Sequence, residues 1–84
     1  MKKINIKKIL TNPSILEGKN IIINDLILSD IDYIEENQHG LIFCREYLDM
    51  DIGSIFIEYR NIRSFELTDG IQKYCVVGLR GFIC

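Results

Sequence analysis

Residues 15–36, ILEGKNIIINDLILSDIDYIEE, begin as an apolar strand and end with four acidic residues within seven positions. Apolar side chains occupy both faces of residues 21–34, and Asn24-Asp25 interrupts them, which predicts one long, bent strand with a bulge. The four acids are Asp30, Asp32, Glu35 and Glu36. Any function assigned to this chain has to explain why its most hydrophobic segment ends in carboxylates.

Further strands are predicted from shorter apolar runs between turn residues. They cover residues 41–47, 54–59 and 72–79, with a short closing strand at residues 82–84. Residues 3–10 carry apolar side chains at helical spacing, and Pro13 would end that helix because it disfavours the α conformation in the residue before it. Residues 60–70 fit either a short helical turn or an extended connection that ends in a tight turn at Asp69-Gly70.

The chain is short, with 84 residues of which 48% are hydrophobic and 26% charged. A domain of this size buries only about 60–65% of the surface of its unfolded chain, so residues 1–84 predict a single domain with one core. Isoleucine is abundant and alanine and tryptophan are absent, which favours strands over helices. The predicted fold is mostly β, a small five-stranded barrel with a short amino-terminal helix, since closure removes exposed strand edges.

Alternation along the predicted strands places one face of each strand in the core. The predicted core residues are Ile21 or Ile23, Ile27, Ile31, Phe43, Ile55, Ile57, Val76 and Leu79. Ile31 and Tyr33 are expected to point inward, which would place Asp30 and Asp32 together on the outer face of their strand.

Residues 12–28, NPSILEGKNIIINDLIL, followed by GLIF, IFIEY and DGIQKYCVVGL, resemble the OB-fold. The resemblance implies a five-stranded OB-like barrel, a scaffold that hosts many functions. Haem chaperones of cytochrome c maturation share this pattern and attach haem through a histidine near the carboxyl end. The only histidine here is His39, in a predicted turn, so the resemblance implies no cofactor.

OB-folds that bind single-stranded nucleic acid combine a basic groove with stacking aromatic side chains. The aromatic residues on the corresponding strands are Phe43, Tyr47, Phe56 and Tyr59. The charge does not match, because residues 1–19 carry +4, residues 20–58 carry −8 and residues 59–84 carry +2 within a formal total of −2. The acidic middle would repel phosphate, whereas it suits a basic protein partner whose approach it would steer.

We therefore expect a non-enzymatic, protein-binding inhibitor, such as an immunity protein that neutralises a basic toxin encoded by a neighbouring gene, for example a nuclease. Small, acidic, isoleucine-rich chains without catalytic motifs are similar to such inhibitors in general character. The predicted partner-binding residues are Asp30, Asp32, Glu35, Glu36, Asp49 and Asp51. Two alternatives stay open: an OB-type nucleic-acid-binding module, and acids that only keep an apolar strand end soluble and unpaired.

The sequence carries no catalytic or metal-binding motif. No serine lies in a Gly-x-Ser-x-Gly elbow, no glycine-rich loop would hold phosphate, and the cysteines lack a neighbouring histidine. Asp49 and Asp51 form only a fragment of a calcium loop, so we expect no metal and no cofactor. Cys44, Cys75 and Cys84 have no CxxC spacing and are expected to be free thiols. With no secretory signal at the amino end and no apolar run of membrane-spanning length, we expect a cytoplasmic protein.

Overall fold

The computed structural model describes residues 2–45 and 54–79 of the chain. Within them lie eight strands and one helix. These elements are β1 (Lys2–Asn5), α1 (Ile6–Thr11), β2 (Asn20–Ile23), β3 (Leu26–Leu28), β4 (Tyr33–Glu36), β5 (Gly40–Cys44), β6 (Ile55–Glu58), β7 (Phe65–Thr68) and β8 (Lys73–Val77). Two short 3-10 turns, Pro13–Leu16 and Tyr59–Asn61, follow α1 and β6. The prediction of a mostly β fold with one short helix near the amino end is confirmed.

The strands form two sheets. The larger sheet has the order β1-β8-β7-β2-β3, and the smaller has the order β4-β5-β6. Neighbouring strands are antiparallel except β1 and β8, which are parallel. Across the described residues no strand pairing joins the two sheets, so the predicted single barrel of five strands is replaced there by two separate sheets.

Both sheets contribute side chains to one hydrophobic core. Phe43 of β5 and Phe65 of β7, one from each sheet, are almost completely buried. Their ring centroids lie 5.8 Å apart with the planes tilted by 59°, an arrangement that aromatic pairs favour. Helix α1 adds Ile6 and Ile9, which are also buried. The core, rather than hydrogen bonding between strands, therefore holds the two sheets together.

Asn24-Asp25 forms a tight turn between β2 and β3 instead of the predicted bulge within one strand. Both residues have positive φ, +50° and +68°, which a two-residue hairpin turn requires and which asparagine and aspartate tolerate. A second break follows at Asp30, where φ is +61°. The single strand predicted over residues 21–34 is therefore three strands, two in the larger sheet and one in the smaller.

Asn24 also fastens the hairpin to a distant part of the chain. Its side-chain Oδ1 accepts hydrogen bonds from the backbone N–H groups of Arg63 and Ser64, at 2.6 and 3.2 Å. Its Nδ2 donates to the carbonyl oxygen of Asn61 at 2.6 Å. The hairpin is thus tied to the connection between β6 and β7 by groups that satisfy one another's hydrogen bonds.

We expect Asn24→Ala to lower the free energy of unfolding by about 2–4 kcal/mol, because each lost hydrogen bond costs about 1 kcal/mol and alanine tolerates a left-handed backbone poorly. Asn24→Gly is the matched variant, since glycine accepts positive φ and loses only the side-chain bonds. Urea denaturation should rank stability as wild type, then glycine, then alanine. Equal stability of all three proteins would show that these bonds do not anchor the hairpin.

The amino end begins with a strand, and the predicted helix starts later than residue 3. β1 pairs in parallel with β8, and α1 begins at Ile6 after Asn5, whose Oδ1 accepts a hydrogen bond from the Lys7 N–H at 2.9 Å. This is the usual capping role of asparagine. The helix ends at Thr11, before Pro13, as the sequence predicts.

Most of the predicted core residues are buried. Ile21, Ile23, Ile31, Phe43, Val76 and Leu79 are buried, and Ile55 and Ile57 are partly buried against the core. The assignment of Ile27 to the core is wrong, since its side chain is 67% exposed. The turn at Asn24-Asp25 makes β3 an edge strand and places Ile27 opposite Ile22 on the outer face of the sheet.

Residues 60–70 contain both of the structures left open by the sequence and one strand that it did not predict. The 3-10 turn reaches Asn61, and β7 then occupies Phe65–Thr68. The predicted turn at Asp69-Gly70 is confirmed. Oδ1 of Asp69 accepts hydrogen bonds from the backbone N–H groups of Ile71 and Gln72, both at 2.8 Å. The bonds from Gln72 and Ile71 lower the pKa of the Asp69 carboxyl below its usual value.

This turn should make stability depend on pH. Because the folded-state pKa of Asp69 is lowered, its contribution is present above the ordinary aspartate pKa and is lost as the pH falls through the lowered one. Asp69→Asn keeps an accepting Oδ1 but does not titrate. We expect wild type to lose more stability than Asp69→Asn between about pH 5 and pH 2, as measured by urea denaturation. Parallel pH profiles for the two proteins would contradict this.

The cysteines differ from one another. Cys44 is a free, buried thiol, as expected. Cys75 is disulfide-bonded, so the expectation of a free thiol is wrong there, and its partner lies outside the described residues. Cys84 and the strand predicted at residues 82–84 also lie outside them. Among the residues that the structure describes, no helix has the length and apolar character needed to cross a membrane.

Candidate functional site

The acidic end of residues 15–36 forms a bend between the two sheets. Residues 29–32 connect β3 of the larger sheet to β4 of the smaller one. Ile31 is buried and holds the bend against the core, while Asp30 and Asp32 on either side of it are exposed. The two carboxylates thus lie outside the core, as expected, but on a bend and not on a strand. Tyr33, expected to point inward, is only partly buried.

Asp30 and Asp32 line the same groove, which has a volume of about 630 Å³. Its other wall is formed by the segment that follows α1. The polar residues of that wall are Ser14, Glu17, Lys19 and Asn20. The Lys19 ammonium donates a hydrogen bond to the carbonyl oxygen of Ile15 at 2.7 Å, which holds this base against its own turn.

The Asp30 carboxylate does not help to hold the bend together. Its backbone is left-handed, and within the described residues its carboxylate takes part in no hydrogen bond or ion pair. Asp69, by contrast, uses its carboxylate to hold its own turn. Asp32 fixes the bend through its backbone, since its N–H donates to the carbonyl oxygen of Cys44 at 2.8 Å. The Asp30 carboxylate is therefore available to solvent and to a partner.

Arg45 lies at the start of the bend. Its Nε donates a hydrogen bond to the carbonyl oxygen of Ser29 at 3.1 Å. Arg45 is the only lysine or arginine between positions 20 and 58 of the sequence. Through this bond it ties the end of β5 to the residue that precedes Asp30, and so helps to fix the position of the bend.

Glu35 lies on the outer face of the smaller sheet. It is directly opposite Ile42 of β5, which is in turn opposite Phe56 of β6.

Burial raises the pKa of the nearby Cys44 thiol and the Glu35 carboxylate raises it further, although a hydrogen bond with Tyr33 acts in the other direction. A thiol with a raised pKa is a poor nucleophile. Cys44 is thus a buried structural residue on this sheet.

Glu36 faces a different groove from Asp30 and Asp32. Its Oε2 accepts a hydrogen bond from the Tyr59 hydroxyl at 3.2 Å. Both residues line a groove of about 770 Å³ together with Lys7 and His39. His39 also contributes through its backbone, since its carbonyl oxygen accepts from the Tyr59 N–H at 2.8 Å. Glu36 therefore belongs to a polar surface of mixed charge.

The predicted partner-binding acids do not form one patch. Asp30 and Asp32 share a groove, while Glu35 and Glu36 point to opposite faces of β4 because adjacent strand residues alternate. Asp49 and Asp51 lie outside the described residues. The opposite wall of the groove at Asp30 was not predicted, since its approach depends on how the 3-10 turn Pro13–Leu16 packs against β4. No sequence signal reports that packing.

The aromatic residues of the predicted stacking surface are also dispersed. Phe43 is buried in the core, and Tyr59 is partly buried and bonded to Glu36. Phe56 is 48% exposed on the outer face of the smaller sheet. Tyr47 lies outside the described residues. Within the described part of the chain, these aromatic side chains do not line up on one face.

Residues 2–45 and 54–79 contain no group of three histidine, cysteine, aspartate or glutamate side chains that could hold a metal ion. Comparison with known proteins finds no matching family model, no similar curated protein and no similar solved structure. The geometry of the chain itself therefore defines it as a small, mostly β protein of two sheets with an acidic bend between them.

Proposed function

We propose that this protein is a non-enzymatic inhibitor that binds a basic protein, in the manner of an immunity protein that neutralises a toxin. The observation that supports the proposal most strongly is Asp30. Its carboxylate is exposed, it has no partner among the described residues, and it lies beside Asp32 on one groove. An arginine or lysine of the partner fits such a groove, because a charge-assisted hydrogen bond to the Asp30 carboxylate is strong.

Core packing and hydrogen bonds hold the backbone of the bend in place in the free protein, which favours recognition by a preorganised surface. Ile31 is buried between the two acids. The Asp32 N–H donates to the carbonyl oxygen of Cys44 in β5, and the side-chain Nε of Arg45 donates to the carbonyl oxygen of Ser29. A backbone that is held in place in the free protein loses less conformational freedom on binding. Glu35, outside the groove, would act mainly by attracting the partner. Asp49 and Asp51 remain predicted contacts.

Co-expression with the product of the neighbouring gene tests this proposal. If that product is basic and is the target, the two proteins should copurify at low salt and separate as salt is raised. The tagged protein with Asp30→Asn and Asp32→Asn is the matched control, and it should retain much less of the partner. Equal recovery with both baits would contradict a role for the groove.

We expect single-stranded DNA or RNA to bind no more tightly than about millimolar at physiological salt. The exposed aromatic Phe56 shares its sheet face with Glu35 and Glu58, which would repel the phosphate backbone. Fluorescence anisotropy with a mixed oligonucleotide is the measurement. Micromolar binding that weakens steeply with salt would favour the alternative, an OB-type nucleic-acid-binding module, over the inhibitor.

A further inference from the structure

The larger sheet ends in two strands, β1 and β3, each of which pairs on one side only within the described residues. In a hairpin with a two-residue turn, the pair next to the turn is hydrogen-bonded and the following pair is not. Ile23 and Leu26 are the first pair, so Ile22 and Ile27 are the second. The backbone N–H and C=O of Ile27 therefore point away from β2, towards the free edge.

The β3 edge exposes apolar side chains as well as backbone groups. Leu26 is 60% exposed and Ile27 is 67% exposed. Natural sheet edges are commonly protected by a charged residue within the edge strand. β3 has none, and its charges lie beyond its ends, at Asp25 and Asp30, which are both exposed. The edge thus combines an apolar centre with acidic ends.

The β1 edge has the complementary charge. Lys2 and Lys3 are exposed on β1, and the first nineteen residues carry a net charge of +4. Following the pairings across the sheet, β1 runs in the direction opposite to β3. If a second copy continues the sheet in the same orientation, its β1 therefore meets this β3 as an antiparallel pair, with its lysines next to Asp30.

We propose that the β3 edge takes the β1 strand of a second copy of this chain, so that copies associate head to tail through continuous sheets. Pairing of two β3 edges is disfavoured, because an antiparallel arrangement would bring the Asp25 end of one strand to the Asp30 end of the other. A head-to-tail contact is heterologous, so it leaves a free edge on each copy and gives assemblies that grow with concentration. This inference does not depend on the proposed inhibitor function.

Sedimentation equilibrium of the full chain over a range of concentrations tests the proposal. The average mass should rise above the 9.8 kDa of one chain as concentration increases, and should rise less at high salt. Lys2→Glu with Lys3→Glu should weaken association by about tenfold or more, since each charge at the contact is reversed. Lys7→Glu with Lys8→Glu makes the same charge change on α1 and should have a much smaller effect.

Ile27→Pro removes the outward N–H and should also leave the protein monomeric, because proline is tolerated on an edge where that N–H faces solvent. Ile27→Lys is used in place of Ile27→Pro if the proline substitution prevents folding. The decisive arm mixes the Ile27 variant with the Lys2→Glu, Lys3→Glu variant. At a concentration where each variant alone is monomeric, the mixture should form a 1:1 dimer, since one still has a native β1 edge and the other a native β3 edge.

Two results would overturn the proposal. One is a wild-type protein that stays monomeric at every concentration and salt level. The other is association that stops at a dimer and is unchanged by the Lys2→Glu, Lys3→Glu variant, which would identify a symmetric contact elsewhere. The failure of either arm leaves the inhibitor proposal unaffected, because that proposal is tested with a different protein.

Discussion

Phe43→Ala is expected to lower the free energy of unfolding by about 3–5 kcal/mol, which is a large part of the stability of a domain this small. Phe43 is fully buried and packs on Phe65 at a centroid distance of 5.8 Å. The two rings come from different sheets that share no strand pairing among the described residues. Removing the ring therefore leaves a cavity where the sheets are held together, and thermal or urea denaturation should show the loss.

Phe56→Ala is the matched control, because it deletes the same side chain from an exposed position. Phe56 lies on β6 and is 48% exposed. Its side chain therefore gains only about half of the free energy of full burial, and its removal should cost about 1 kcal/mol. The comparison separates core packing from the general loss of an aromatic residue. Equal destabilisation by the two substitutions would show that the Phe43–Phe65 contact does not join the sheets.

Asp30→Asn combined with Asp32→Asn is expected to weaken binding of the basic partner by about 2–5 kcal/mol if an arginine or lysine enters the groove, because removal of a buried ionic contact leaves the partner's charge unpaired. The Asp30→Asn single variant should keep wild-type stability, since the Asp30 side chain is exposed and asparagine tolerates the positive φ of residue 30. For that variant, unchanged denaturation together with a loss of affinity is the expected pair of results.

A control of equal charge keeps this result interpretable. Asp25→Asn with Glu66→Gln also removes two negative charges, and neither residue lines the groove. It should reduce affinity only through long-range attraction, and Glu35→Gln should likewise slow association more than it speeds dissociation. If the two double variants weaken binding equally, net charge and not the groove determines recognition.

Hydrophobic patterning predicted which residues enter the core more successfully than it predicted where strands end. Ile21 and Ile23 of β2 and Ile31 of the bend are all buried, although the bend is separated from β2 by another strand. The breaks between those segments depend on positive φ at Asn24, Asp25 and Asp30. Asparagine and aspartate permit that conformation without requiring it. The sequence alone therefore predicted a bulge within one strand and not a turn between two strands.

The separation into two sheets could not be predicted from alternation, because it depends on contacts between residues that are distant in the chain. Asn24 bonds to the connection at residues 61–64, and Phe43 meets Phe65. β1 pairs with β8, nearly at the other end of the chain. Such pairings are set by how the whole core packs, so local propensity assigned residues 3–5 to a helix instead of a strand.

The sequence predicted only part of the candidate site, because the rest also depends on contacts between residues that are distant in the chain. Period-two alternation correctly placed Ile31 inside and its acidic neighbours outside. Alternation could not show that Asp30 and Asp32 face the segment after α1. It also could not show that Glu36 bonds to Tyr59 and lies in a different groove. The sequence identified the carboxylates, whereas tertiary packing determined which of them share a groove.

A binding titration at two salt concentrations tests the central claim most directly, with the basic product of the neighbouring gene as the partner. Wild type is compared with a variant in which Asp30, Asp32, Glu35 and Glu36 are replaced by their amides. The wild-type Kd is predicted to rise between about 50 and 500 mM salt, and the variant is predicted to bind weakly with little salt dependence. If neutralising all four acids changes neither the affinity nor its salt dependence, the acids only keep the bend soluble, and the inhibitor proposal is wrong.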